Sequence, residues 1–232
     1  MSILVVAAHP DDEILGCGGT MARLAREGRE VRIAILAEGI SSRYPHREDA
    51  DERQFRHLHA RAQQAADKIG AKELFLCKLP DNRLDTVPLL DIVKTVEELV
   101  ARFHPETIYT HHPGDLNVDH GVVHRAVLTA TRPMSVQCVR EVYAFEVPSS
   151  TEWAFHQLEP MFRPNVFVDI ADSLETKIAA LSCYDTEART FPHPRSAEAL
   201  RAIATRWGSV AGLRAAEAFE LVRSVRPSNH RP

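Results

Sequence analysis

The sequence predicts an α/β protein: a doubly wound, mostly parallel sheet followed by a C-terminal α+β extension. Three observations lead there. Apolar runs alternate with stretches of helical periodicity from Ser2 to Val147. The first run, Ser2–Ala8, is continuously apolar, as a strand buried on both faces of a parallel sheet must be. The strand–helix unit then recurs four times in succession, which calls for crossover connections and hence parallel pairing.

The elements follow in order. Strand one is expected to end at about Ala8, and Ile14, Leu15, Met21, Ala22, Leu24 and Ala25 recur at helical spacing over Asp12–Glu27 before Gly28 stops the helix. Val31–Ala37 reads as a second strand, with a helix inside Ala50–Ile69 stopped by Gly70. Glu73–Cys77 is a third strand, and Pro88–Phe103 a helix with proline in its first turn, where a missing N–H costs nothing. Thr107–Thr110 is a fourth strand, His111–Val118 a polar loop, Asp119–Thr131 a helix and Glu141–Val147 a fifth strand. After Pro148 the pattern loosens: Asn165–Ile170 reads as a strand, Leu174–Leu181 and Ala197–Arg206 as helices, and Phe191–Arg195 as a loop. The 232 residues are therefore read as one domain, with a core over 1–147, an extension over 148–226 and a polar tail at Pro227–Pro232.

Composition narrows the function. With 44% hydrophobic and 26% charged residues the chain can bury a core, and no apolar run approaches the roughly 20 residues of a membrane span. A net charge of -4 offers no footprint for nucleic acid or an anionic membrane. Ile3–Ala8 lacks the preceding basic residues and the length of a secretory signal. Cys17, Cys77, Cys138 and Cys183 form no CxxC pair, so reduced thiols and a cytoplasmic setting are expected.

In an open parallel sheet ligands sit at the carboxyl ends of the strands. The loops there read His9-Pro10-Asp11-Asp12-Glu13, Glu38–Arg43, Asp81-Asn82-Arg83 and His111–His120. A histidine ending a strand and an aspartate opening the next helix can grip a divalent cation, so His9 and Asp12, joined by His120 from the fourth strand end, form a candidate ligand set. Two histidines and a carboxylate suit catalytic zinc, which lowers the pKa of water to about 7. The same set admits another divalent transition metal such as Fe²⁺ or Co²⁺. Asp11 could deprotonate that water, and Asp119 could orient a ligand histidine through its second ring nitrogen.

Plainer readings compete. Asp11, Asp12 and Glu13 could simply cap a helix. His120 and His124 share a helix face at metalloprotease spacing, but Gly121 occupies the place of the general-base glutamate, so His124 is assigned to packing or to the second shell. Gly16, Gly18 and Gly19 do not match a phosphate-binding spacing and suit close helix–sheet packing. The basic stretch Arg53, Arg56, His57, His59 and Arg61 reads as a solvated face. Arg43 sits in a strand-end loop and could bind a substrate hydroxyl or anion; Arg83, His193 and Arg195 are further candidate substrate contacts.

The segment Ala8-His9-Pro10-Asp11-Asp12-Glu13, coupled with Asp119-His120, resembles the PIG-L/LmbE-like family of metal-dependent N-acetylglucosaminyl deacetylases. The likeness extends over the Rossmann-like order through Val147, the Phe191–Arg195 loop and Ala216-Glu217-Ala218-Phe219. It implies Zn²⁺ on His9, Asp12 and His120, Asp11 as general base, and a small N-acetylated amino-sugar substrate. Where the best-known branch has a His-Pro-Asp-His run, this chain has Asn117-Val118-Asp119-His120, so Asn117 replaces an oxyanion-stabilising histidine. An amide can donate a hydrogen bond but cannot deliver a proton, which leaves His111, His112 or His193 as substitutes, or Asp11 in both roles.

The rivals are a metal-dependent hydrolase of another amide or an ester, and a noncatalytic nucleotide- or sugar-binding module. Aromatic residues make up only 6% of the chain, which favours a small or nucleotide-linked sugar over a long oligosaccharide. The C-terminal third could serve a homo-oligomer interface.

Overall fold

The structure is a computed structural model and describes residues 2–134 and 138–226. Thirteen principal elements run β1 (Ser2–Ala7), α1 (Asp12–Arg26), β2 (Glu30–Ala37), α2 (Glu52–Ile69), β3 (Glu73–Leu79), α3 (Leu89–Phe103), β4 (Thr107–His111), α4 (Val118–Ala130), β5 (Glu141–Phe145), β6 (Val166–Asp169), α5 (Leu174–Leu181), α6 (Ala197–Ala211) and β7 (Ala216–Ser224). They build one seven-stranded sheet in the order β3-β2-β1-β4-β5-β7-β6. The first five strands are parallel; β7 runs antiparallel to both β5 and β6.

Alternation along each strand divides the core. Val5 and Ala7 of β1 join Ile33 and Ile35 of β2 under α1, α2 and α5, while Leu4 and Val6 join Ala34 and Leu36 against α3 and α4. Both faces are covered, which is why β1 reads as a continuous apolar run. The chain winds outward from β1 through β2 to β3, then returns to place β4 on the other side of β1. The crevice between the carboxyl ends of β1 and β4 is therefore the switch point, the place where such sheets bind ligands.

Several boundaries differ from the sequence reading. Pro88 is the N-cap of α3 rather than a residue of its first turn. His111 completes β4 instead of opening the loop. Helix α6 runs past Arg206 to Ala211, because Gly208 does not stop it: a side chain there would meet Ala215 N at 2.8 Å, so the glycine serves a close helix–strand approach. Strand β7 has no counterpart in the expected elements. It carries Glu217, Glu220 and Arg223 among apolar residues and lacks clean two-residue alternation. Pro227–Pro232 lies outside the described residues.

Helix α1 is broken at Cys17, whose φ of -143° is not helical. The gap is filled from the extension. The buried Glu217 carboxylate accepts the Gly19 and Thr20 N–H groups (2.9 and 2.7 Å), and Lys177 Nζ donates to Leu15 O (2.8 Å) and to Glu217 (2.6 Å). Gly16 and Gly19 admit the sheet here, since a Cβ would fall 2.2 Å from the Phe145 ring and 2.9 Å from Ile170. The glycines thus serve packing, as their spacing suggests.

Candidate active site

The N-terminus of α1 is held in an unusual shape. Asp11 is its N-cap residue with φ of 104°, a left-handed conformation rarely adopted by a non-glycine residue. Its N–H donates to Glu13 Oε2 (3.0 Å), and Glu13 in turn accepts the Tyr184 hydroxyl (2.6 Å). Burial pushes the Glu13 carboxyl up to about 7. The Asp11 carboxylate makes no capping hydrogen bond. It accepts Arg195 Nη1 at 2.6 Å instead, so helix capping does not account for this acid. Burial raises Asp11 well above the carboxylate range although the Arg195 charge opposes it.

His9, Asp12 and His120 converge, with one donor atom from each lying within 4.8 Å of the others. Asp12 Oδ2 lies 3.2 Å from His9 Nδ1 and 3.2 Å from His120 Nε2. Two atoms each bound at 2.0–2.1 Å to a tetrahedral ion stand about 3.3 Å apart, so these separations fit a shared metal. The outward nitrogens fit as well. His9 Nε2 pairs with Asp119 Oδ2 at 3.0 Å, which leaves Nδ1 to offer its lone pair, and Asp119 Oδ1 is fixed by the Leu84 N–H (2.9 Å). His120 Nδ1 faces Asp115 Oδ1 at 3.1 Å. Among the described residues, neither buried nitrogen of His120 makes a hydrogen bond of full geometry. A cation would supply the missing partner for Nε2, and the donor set suits a divalent transition metal.

Electrostatics hold the cluster together without an ion. Burial disfavours charge on His9 and His120, yet Asp119 and Asp12 hold His9 up at about 10, and Asp12 and Asp115 hold His120 up at about 9. Burial alone would raise Asp12; His120, His9 and His111 outweigh it and keep that carboxyl well below the usual range.

Three of the expected contributors take other roles. His111 Nε2 accepts the Ala8 N–H (2.8 Å), and the ring stacks on His120 with centroids 3.9 Å apart. Burial pushes His111 well below its ordinary value, and with Nε2 taken up by the Ala8 N–H its ring braces that of His120. His112, expected near the reacting atoms, points away: Nδ1 contacts Glu220 at 2.9 Å and Nε2 donates to Pro160 O at 2.8 Å. Successive residues of an extended segment face opposite sides, so His111 and His112 cannot both serve the rim. Arg83 is exposed and does not line the cavity, whereas its neighbour Asn82 does.

The cavity over the cluster has a volume of about 410 Å³. His9, Asp11, Asp12 and His120 form part of its lining, with Arg43, Asp81, Asn82, Asn117, Ser149, Trp153, Glu187 and Arg195 around them. Asn117 caps α4, accepting the Asp119 N–H (2.9 Å), and its Nδ2 donates to Asn82 Oδ1 (2.7 Å). Arg195 also donates to Ser149 Oγ (2.7 Å). Arg43 is paired with Glu187. His193 stands behind this wall, accepting the Arg195 N–H at 3.1 Å and meeting Trp153 edge-on at 5.5 Å. His124 donates Nδ1–H to His111 O (2.8 Å), a packing role.

Trp153 and Glu187 are absent from the sequence reading, and Asp115 appears there only as part of the fourth strand-end loop, with no role. Asp115 accepts Ser150 Oγ, Thr151 Oγ1 (2.6 Å) and the Asn117 N–H (2.9 Å), and so presents a fixed oxygen to His120. The argument that marks Asp119 would have marked Asp115 too, five residues before His120. Trp153 supplies an apolar wall that the low aromatic content does not lead one to expect.

Fold and site together define a doubly wound α/β protein with a His-Asp-His metal-type cluster and a buried carboxylate at the switch point of its sheet. The chain belongs to the PIG-L family: the family's sequence model, described as GlcNAc-PI de-N-acetylase, matches residues 4–131. An uncharacterised deacetylase, YaiS, of Escherichia coli K12 is 29% identical over 77% of this chain and 88% of its own length. A probable N-acetyl-α-D-glucosaminyl L-malate deacetylase of Bacillus cereus is 24% identical over 80% of this chain and 83% of its own length. Among solved structures, 4-carboxy-2-hydroxymuconate hydratase of Pseudomonas putida superposes with a TM-score of 0.74 at 22% identity, covering 99% of both chains. The last shares the fold alone and, as a hydratase, carries other chemistry on the same architecture.

Proposed function

We propose that the protein is a zinc-dependent N-deacetylase that removes the acetyl group from an N-acetylglucosamine-type sugar or conjugate. The observation that carries this reading is the convergence of His9, Asp12 and His120 directly beside the buried Asp11 on the floor of an open cavity. Membership of the PIG-L family and the deacetylase names of its relatives support it.

A divalent ion held by His9, Asp12 and His120 would supply a Lewis acid that lowers the pKa of water and polarises the acetamide carbonyl. The chain's own groups do the rest. Asp119 and Asp115 aim the two ligand rings from behind. Asp11, raised by burial and held in place by Arg195, takes the proton of the attacking water at near-neutral pH. Asn117 Nδ2 has a hydrogen left after serving Asn82 and donates to the carbonyl oxygen as negative charge develops there. Because Asn117 cannot release a proton, His111 and His112 are engaged elsewhere and His193 does not line the cavity, Asp11 also returns the proton to the leaving amine. Acetate and a free amino sugar result.

No helix among the described residues is long and apolar enough to cross a membrane. Cys17, Cys77 and Cys183 are free thiols, which supports a reducing, cytoplasmic setting for the reaction.

The test is acetate release from N-acetylglucosamine conjugates by the zinc-reconstituted protein, run beside Asp11→Asn. The wild type should release acetate, and the variant should bind zinc equally well while turning over about 10²–10⁴-fold more slowly. Full activity in Asp11→Asn would contradict the assignment of the base, and no acetate from any conjugate would contradict the reaction.

A further inference from the structure

Resting on the deacetylase reading of the cavity, we infer that the site selects neutral N-acetylamino-sugar glycosides and rejects those bearing phosphate or carboxylate, with Glu187 as the determinant. Among the described residues, and outside the metal-type cluster, the lining offers two permanent cations, Arg43 and Arg195, and each is paired with a carboxylate. Arg195 donates to Asp11 at 2.6 Å and to Ser149 at 2.7 Å. Arg43 is bonded to Glu187, whose other oxygen lies 3.6 Å from Arg195. One largely buried carboxylate therefore answers both guanidinium groups, and Asp81 adds a further buried negative charge to the same wall.

The space beyond continues the pattern. A neighbouring groove of about 360 Å³ shares Ile40, Arg43 and Leu58 with the cavity. Its own basic side chains, Arg53 and His57, are paired with Asp51 at 3.1 Å and Asp185 at 3.2 Å. A sugar extended in this direction meets apolar atoms and basic side chains that already have carboxylate partners. An anionic aglycone would meet an Arg43 whose charge Glu187 already answers while approaching further carboxylates, which leaves specificity set by repulsion as much as by attraction. The structure thus argues against the nucleotide-linked sugars that composition alone allows.

The experiment compares methyl N-acetyl-β-D-glucosaminide with N-acetylglucosamine 1-phosphate, by calorimetric Kd and by kcat/KM, on zinc-reconstituted wild type, Glu187→Gln and Arg43→Gln. The wild type should bind the neutral glycoside about tenfold or more tightly than the phosphate. Glu187→Gln, which frees Arg43, should improve the phosphate by about tenfold and close the gap, whereas Arg43→Gln should widen it. Equal or tighter wild-type binding of the phosphate, or an unchanged ratio in both variants, overturns the inference. Retained preference in binding with no acetate release overturns the deacetylase reading and leaves this inference standing; no binding of either sugar overturns both.

Discussion

Each of the two histidines proposed to face the metal has a carboxylate behind it, His9 backed by Asp119 and His120 by Asp115. Such partners fix ring orientation and raise basicity, and their loss commonly weakens metal binding by about 10–100-fold. Asp115→Asn should therefore lower zinc affinity by about that factor, measured by competition with a chelating dye, while His120→Ala should lose the site altogether. Unchanged affinity in Asp115→Asn would mean that His120 needs no orienting partner. At this scale His9, Asp11 and Asp12 were legible because a strand end and a helix start place them within four residues of one another, and His120 because its helix opens on the same rim. Arg83, exposed in the loop after β3, misses the cavity that Asn82 lines, and His112 was read onto the rim for the complementary reason. Which side of an extended segment a residue faces depends on where β4 ends, and it ends one residue later than its apolar pattern indicates. Glu187 and Trp153 come from irregular segments whose approach to the rim leaves no local signature.

At the scale of elements, the break in α1 links the extension to the site. The first turn carries Asp12 and Glu13, and the end of that short segment is secured by Lys177 of α5 and Glu217 of β7. Side-chain exposure of only 7% for Lys177 and 5% for Glu217 makes this a buried pair. Removing one partner strands the other charge, at a cost of about 3–5 kcal/mol. Lys177→Met should lower the urea midpoint accordingly, and pairing it with Glu217→Gln should recover part of the loss. A midpoint within error of wild type would show that the pair is dispensable. The parallel core was readable since buried parallel strands are uniformly apolar. Strand β7 was not, because its charged residues answer to α1 and α5 rather than to an alternating pattern: Glu217 and its pairing with Lys177 are set by tertiary contacts.

For the whole molecule, protons and the proposed metal would compete for one cluster. In the metal-free protein His9 at about 10 and His120 at about 9 lie above the ordinary 6.5, and Glu13 at about 7 lies above its 4.5. Groups whose pKa rises on folding stabilise the fold fully below the unfolded value and cease to do so as pH climbs through the folded value. The metal-free protein should thus lose thermal stability between about pH 6.5 and 10, the window these two histidines define. With metal bound the trend should reverse over that window, since each ion taken up displaces about two protons and binds more tightly as pH rises. Thermal melts with and without a chelator across this range check both signs, and a metal-free protein that gains stability toward pH 10 would refute the scheme. The most direct test of the account is to titrate zinc into the metal-free protein while following acetate release from a neutral N-acetylglucosaminide in the same samples. Activity should start near zero, rise linearly and break at about one equivalent per chain, as a single three-ligand site requires. Full acetate release before any zinc is added, or a stoichiometric ion that brings no release, would contradict it.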